Sequence, residues 1–273
     1  MYISIITINR NNKAGLRQTV QSVAIQESKD FEYIIVDGAS TDGSTDVIQE
    51  YSNINNLRWI SEPDTGIYNA MNKGILMATG EYVLMLNSGD SFTNQYVIGG
   101  LISGIKDNDF PDILFGNTIK TWPNGKKKKS IHQNNDFSMM TFYLGTIDHV
   151  GTCIRRSLFS QFGMYDESLK ICSDWAWFMK TIVFGNIKPI HINLDTIYFD
   201  MTGISESGGQ NRGLIMDERR KTLQNTLVPS ILSDYDYWGK EYRMIQRLHR
   251  HPWAYKLTHF IERCLFKIEK LKK

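Results

Sequence analysis

Apolar residues run almost unbroken from Ile3 to Ile8, interrupted only by Ser4 and Thr7, and similar short runs return at Phe31–Val36, Leu57–Ile60 and Tyr82–Leu86. The first, short and β-branched without polar alternation, predicts a strand buried on both faces, and the others predict further short strands. Between them the period changes. Leu16, Val20, Val23 and Ala24 fall at helical spacing, Ile67–Ala78 reads as a second helix, and the turn-rich Asp37–Ser44 supplies an N-cap for another at Thr45–Tyr51. Strand and helix alternating with short links predict an α/β protein with a doubly wound, mostly parallel sheet flanked by helices. Open sheets of this kind take ligands outside the carboxyl ends of their strands.

The second third is less regular. Ile113–Thr121 and Lys126–Ile131 read as strands around a hairpin-type turn, Trp122-Pro-Asn-Gly125. Val150–Arg155 reads as a strand, Ser157–Phe162 as a short helix, Asp174–Phe184 as a helix with an aromatic face, and Ile190–Phe199 as another strand. The polar, glycine-rich Ser205–Gly213 predicts a mobile loop, and the chain beyond it is helical to its end. The expected division is an α/β domain over 1–205 and a loop with a helical tail over 206–273.

Composition changes this picture little: 41% hydrophobic and 22% charged residues suit a folded chain long enough to bury a sizeable core. Charge changes it more. The net charge of +2 conceals a basic end, since Lys240 to Lys273 holds ten Lys or Arg against three Glu. There Trp253, Leu257, Phe260, Leu265, Ile268 and Leu271 repeat at helical spacing, flanked by Lys256, Arg263, Lys267 and Lys270, which makes a cationic amphipathic helix. Three fates are open to it: packing on the main domain, an oligomer contact such as a homodimer, or a seat on an anionic membrane surface. Nucleic acid is disfavoured, because the aromatics do not interleave with the basic run at Lys126–Lys129. Three scattered cysteines make neither a metal pattern nor a disulfide framework, and no stretch is apolar enough to span a bilayer, so a cytoplasmic protein is expected.

Candidate chemistry gathers where strands end. Asp37 follows a buried strand and precedes a glycine, which suits either a ligand contact or an acid capping its own turn. Asp64 lies in a Pro-Asp-Thr-Gly turn, and Lys73 lies one helical turn from Asn69, able to reach a phosphate or only solvent. Asn87-Ser-Gly-Asp90 puts an acid just beyond an apolar strand. A hard cation such as Mg²⁺ or Mn²⁺ keeps waters and substrate phosphates in its shell, so one carboxylate plus a diphosphate is enough. Asp174, at the head of a Trp-rich helix, is either a general base or a plain cap.

Taken in order, Ile-Ile-Thr-Ile-Asn-Arg10, Val36-Asp-Gly-Ala-Ser-Thr-Asp-Gly-Ser44, Glu62-Pro-Asp-Thr-Gly-Ile-Tyr-Asn-Ala-Met-Asn-Lys-Gly74, Gly80-Glu-Tyr and Asn87-Ser-Gly-Asp90 resemble a family 2-type inverting glycosyltransferase of the GT-A (Rossmann-like) fold, in the branch that includes colanic acid transferases. The resemblance covers residues 1 to about 205. It implies that Thr7, Asn9, Asp37, Asp64, Lys73, Asn87 and Ser88 line the pocket of a nucleotide-diphosphate sugar, and that Asp90 binds the metal. The family usually has two or three acids here. This chain carries Asn87 and Gly89 at the other positions, which would fit either a weaker metal affinity or a metal held mainly by diphosphate. His149-Val-Gly-Thr-Cys-Ile-Arg-Arg156 and Cys172-Ser-Asp-Trp175 are similar to the family's acceptor side, with Asp174 aligned to the catalytic base and His149 and Trp175 beside the acceptor, a glycan or polyprenyl-linked sugar.

Two other classes compete. A sugar-phosphate nucleotidyltransferase shares the sheet but needs a glycine-rich phosphate loop, and Asn9-Arg-Asn-Asn-Lys-Ala-Gly15 has one glycine. A degenerate peripheral membrane or scaffold protein would also explain the reduced acid count.

Overall fold

The structure, a computed structural model, describes residues 2–54, 56–130, 137–203 and 210–271. In its first half β1 (Ile3–Asn9), β2 (Phe31–Asp37), β3 (Leu57–Ser61) and β4 (Tyr82–Met85) pair in parallel in the order β3-β2-β1-β4, joined by α1 (Lys13–Ala24), α2 (Ser44–Glu50) and α3 (Ile67–Met77). Register brings Asn9 opposite Asp37 and Asp37 opposite Ser61, so three polar residues stand side by side at the carboxyl ends of three strands.

The second half adds β5 (Ser91–Phe92), α4 (Val97–Asp107), β6 (Ile113–Thr121), β7 (Lys127–Ser130), α5 (Met139–Leu144), β8 (Cys153–Arg155), α6 (Ser157–Phe162), α7 (Ser173–Phe178) and β9 (Ile190–Asp200). The sheet continues β4-β8-β6-β9-β5, with β7 on β6. β8 runs antiparallel to both neighbours, while β6 and β9 are parallel. The core lies between this sheet and its helices, with Ile3, Ile5, Tyr33, Leu84, Leu101 and Leu114 all buried.

The sequence pattern missed α4 because Gly99, Gly100 and Gly104 interrupt its apolar positions. Two of these glycines are close-approach points. A Cβ on Gly100 would lie 2.9 Å from Leu194, and one on Gly104 2.8 Å from Ile192, so α4 can lie this near β9 only without those side chains. The expected strand from Val150 is shorter, because Gly151 turns at φ +72 and donates to Met85 O. The helix expected over Asp174–Phe184 changes to π-helical winding over Met179–Phe184. The expected strand end at Ile131 and most of the expected loop, residues 205–209, lie outside the described residues, while Arg212 already belongs to α8 (Arg212–Thr226).

The chain divides into two compact units, Met1–Thr222 and Leu223–Lys273; the expected boundary at 205/206 falls in the undescribed segment. The second unit contains α9 (Pro229–His249) and α10 (Pro252–Leu271), and the apolar positions Trp253, Leu257, Phe260, Leu265 and Ile268 of α10 are exposed. Among the described residues no helix is long and apolar enough to cross a membrane.

Candidate active site

The carboxyl edge of β1, β2 and β3 is tightly organised. Asp37 has no exposed surface and accepts from Asn9 Nδ2 (2.8 Å), Ser40 N (2.9 Å), Ser40 Oγ (2.5 Å) and Ser61 Oγ (2.6 Å). Burial pushes its pKa up, but these donors outweigh burial and hold it below the usual carboxylate value. The loop after β1 is laced to the same turn: Asn11 N donates to Ser40 Oγ (2.8 Å), Thr41 N to Asn11 Oδ1 (2.8 Å) and Lys13 N to Asp42 Oδ2 (2.8 Å).

Several expected ligand residues have partners within the fold. Thr7 is fully buried within the sheet, donating to Leu86 O (2.6 Å) and meeting Tyr33 Oη (3.0 Å). Asn9 and Asp37 are joined to each other at the strand ends. Lys73 is tied to the segment before α3. Its Nζ donates to Pro63 O (2.9 Å) and pairs with Glu62 (2.7 Å), stapling the turn before α3. What fronts the edge is Asp64, whose carboxylate rests on the Gly38 backbone, with the exposed Arg10 guanidinium 3.7 Å away. A Cβ on Gly38 would fall 2.2 Å from Asp64 Oδ2.

Asn87, Ser88 and Asp90 occupy the turn after β4, where Gly89 takes φ +106 and Asn12 Nδ2 donates to Ser88 O (3.2 Å). Asp90 is 3% exposed. Burial and the neighbouring Asp200 carboxylate push its pKa up to about 8, against the pull of backbone N–H groups, one of them Asp200 N at 2.9 Å. Asp200, at the end of β9, reaches this turn: its Oδ2 would lie 3.1 Å from a Cβ on Gly89. The sequence reading missed it, since a single acid ending a strand carries no local signal. Two crowded carboxylates and the buried, unpartnered Asn87 Oδ1 form an all-oxygen donor set that fits a hard divalent cation. Among the described residues no cluster of three or more His, Cys, Asp or Glu could hold one, so a cation here would draw its remaining ligands from substrate oxygens and water.

The side of the cleft expected to take the acceptor is built by α3 and α7. Asp174 Oδ1 lies 2.7 Å from Tyr68 Oη, and burial together with this negative charge raises the tyrosine pKa well above its usual value, so Tyr68 stays a neutral donor. Asn72, one turn further along α3, donates to Tyr165 O (2.9 Å) and accepts from Tyr165 N (3.1 Å). The motif around α3 thus clamps the acceptor segment as well as shaping the turn at Asp64. His149 is buried, with Nε2 2.7 Å from Tyr165 Oη; burial lowers its pKa against the opposing pull of Asp174, which favours the neutral imidazole. Trp175 is pinned by its indole N–H, which lies 2.9 Å from Phe142 O and 3.1 Å from Gly145 O. Glu218 on α8 accepts from the N–H groups of Lys170 (2.6 Å), Ile171 (3.0 Å) and Cys172 (3.0 Å), fixing the approach to Asp174. In the sequence neither Glu218 nor Arg219 stands out, since Asp217-Glu-Arg-Arg220 lies in a helical stretch without a motif.

Both halves meet in one cleft of ≈ 210 Å³, lined among others by Tyr68, Asn87, His149, Asp174, Trp175 and Arg219. Asn9, Asn87, Ser173 and Arg219 each carry a buried side-chain polar atom without a hydrogen-bond partner among the described residues. Unsatisfied groups are rare in native proteins, and two of these, on Asn87 and Arg219, belong to residues that line the cleft, as a ligand site would have them.

A doubly wound sheet with an acid-bearing cleft at its carboxyl edge defines a ligand-binding α/β enzyme of the GT-A type. The family described as Glycosyl transferase family 2 matches residues 4–163. A PGL/p-HBAD biosynthesis glycosyltransferase of Mycobacterium tuberculosis (strain ATCC 25177 / H37Ra) is 30% identical over 222 residues, covering 81% of this chain and 83% of that one. TuaG of Bacillus subtilis (strain 168), whose name assigns it to teichuronic acid biosynthesis, is 37% identical over 92 residues, 33% of this chain and 36% of its own. Among solved structures, S. aureus TarS 1-349 in complex with UDP superposes with TM-score 0.62 at 21% identity over 73% of this chain; this chain spans 60% of that one. The mannosyltransferase PcManGT from Pyrobaculum calidifontis, in complex with GDP-Man and Mn²⁺, superposes with TM-score 0.54 at 17% identity over 70% of this chain and 54% of its own. At these identities the likeness to solved structures is one of fold. The chain belongs to glycosyl transferase family 2, and is a nucleotide-sugar-dependent glycosyltransferase.

Proposed function

We propose that this enzyme inverts: it moves a sugar from a nucleotide-diphosphate sugar to a hydroxyl of a glycan or lipid-linked glycan in surface polysaccharide biosynthesis. The observation that carries this reading is the shared cleft, in which Asp174, steadied by Tyr68, faces the same opening as Asn87 of the turn that ends in Asp90. Asp174 takes the proton of the acceptor hydroxyl as that oxygen bonds to the anomeric carbon. The bond from that carbon to the diphosphate oxygen breaks on the opposite face, and the nucleoside diphosphate leaves with the bonding electrons. A single displacement inverts the anomeric centre. Neutral His149 and Trp175 flank the acceptor. The nucleoside lies over Arg10, Gly38 and Asp64.

Asp90 and Asp200 would hold Mg²⁺ or Mn²⁺, which supplies positive charge to the departing diphosphate. Complexes of TarS with UDP and UDP-GlcNAc, and of PcManGT with GDP-Man and Mn²⁺, support a donor and metal of this kind. The polysaccharide role is supported by the name of TuaG. A lipid-linked acceptor also gives the second unit a purpose, because its cationic helix suits the inner face of the cell membrane and so a cytoplasmic enzyme; self-association is the other fate of that face.

The test is a screen of sugar nucleotides followed by NMR of the product formed from the donor that is consumed. The expected product has the anomeric configuration opposite to the donor's, and retention overturns the mechanism.

A further inference from the structure

Arg219 has no role in the transfer chemistry described above, yet it lines the cleft beside Cys172, Asp174 and Trp175. Its Nε is buried without a hydrogen-bond partner, an arrangement that costs free energy unless an acceptor arrives. Its guanidinium lies 5.0 Å from the Trp175 ring centroid. That distance is one of a cation–π contact. With another of its N–H groups hydrogen-bonded to Cys172, the guanidinium keeps Nε as its unpartnered donor, one edge of a fork that matches the oxygens of a phosphate. Both supports are themselves fixed: Trp175 by its bonds to Phe142 O and Gly145 O, and α8 by the three backbone N–H groups that Glu218 receives. Two of the acids nearby have partners of their own, Glu218 in those N–H groups and Asp174 in Tyr68. The Cys172 thiol, pushed up to about 12 chiefly by burial, hydrogen-bonds Arg219 as a neutral group and does not neutralise its charge.

We infer that Arg219 is a phosphate-binding residue of the cleft, taking the oxygens of a diphosphate ester that belongs to the leaving nucleotide or to a diphosphate-linked acceptor. The inference rests on the donor reading given above. Calorimetric titrations of the full chain and of Arg219→Gln separate the two sources. One arm compares UDP and GDP with uridine and guanosine. The other compares farnesyl diphosphate with farnesol while the nucleoside diphosphate is saturating.

The expected result is a loss of ~10-fold or more in affinity for one diphosphate, the size of a charge-assisted hydrogen bond. Its phosphate-free counterpart stays within about two-fold, since it lacks the group bound, and Arg219→Lys recovers part of the loss. Loss in the first arm assigns the residue to the donor, and loss in the second to the acceptor. The inference is overturned if both diphosphates bind Arg219→Gln as they bind the unaltered chain, or if the phosphate-free ligands weaken by the same factor, which would mean that Arg219 only props Trp175. Should Arg219→Gln not fold by thermal unfolding, Arg219→Lys is read in its place, with a smaller loss confined to the diphosphates. An unaltered chain that binds neither UDP nor GDP overturns the donor reading, and this inference with it.

Discussion

Glu32 sits in β2 with its carboxylate accepting from Ser4 Oγ (2.6 Å), Thr79 N (2.6 Å), Gly80 N (3.0 Å) and the Arg58 guanidinium. Burial alone would raise its pKa, but these donors more than offset it and hold the group at about 2, against 4.5 for the free side chain. A carboxyl whose pKa is lower in the folded state stabilises the fold above its unfolded pKa, and the stabilisation is lost as pH falls through the folded value. That window runs here from 4.5 down to about 2, and a gap of this size corresponds to ~3 kcal/mol. Urea unfolding of Glu32→Gln is expected to show a deficit of this order near neutral pH that shrinks toward pH ~2; an equal deficit at both would contradict it. Residues like this one explain why single positions were hard to read in advance. Asp37 and Thr7 have the residue types of ligands, but partners from distant segments, Asn9 and Ser61 for Asp37 and Tyr33 and Leu86 O for Thr7, appear only once the strands are assembled. Asp174 could be singled out as a candidate because acid, apolar helix and flanking motif are contiguous.

At the scale of elements, short apolar runs and helices of simple period were legible: β1, β2, β4 and α3 lie where the apolar pattern predicts, and so does β3, although none of its residues is buried. What escaped were elements defined by tertiary approach. α4 is punctuated by glycines that only its neighbours in β9 explain, and Gly74 in α3 has the same cause, since a Cβ there would lie 2.4 Å from Ile6 Cγ2. α10 is the reverse case, an apolar stripe read from period that is exposed in the structure. With Lys256, Arg263, Lys267 and Lys270 beside it, the stripe suits an anionic lipid surface, each cation contributing roughly 1 kcal/mol. The full chain is therefore expected to sediment with phosphatidylglycerol vesicles and not with phosphatidylcholine, and Lys267→Glu with Lys270→Glu should weaken that binding by ~10-fold or more. Equal binding to both vesicle types, or to neither, would leave self-association as the fate of this face, with the oligomeric state of the two-charge variant as its readout.

The whole molecule segregates its charge. Residues 223–273 carry ten Lys or Arg against five Asp or Glu, leaving 21 against 24 in the preceding unit, so the net +2 is the sum of two opposite tendencies. The unit with the sheet does the chemistry, and its site is made by bringing together segments about a hundred residues apart, Tyr68 with Asp174 and Asp90 with Asp200. The central claim is that Asp174 in this shared cleft is the base for sugar transfer. The most direct measurement is nucleoside diphosphate release in the presence of acceptor, compared for the unaltered enzyme and Asp174→Asn, with donor affinity determined on the same samples. The account predicts a fall in turnover of ~10²–10⁴-fold, the worth of a general base, at unchanged donor affinity. Turnover by Asp174→Asn at the unaltered rate would contradict it.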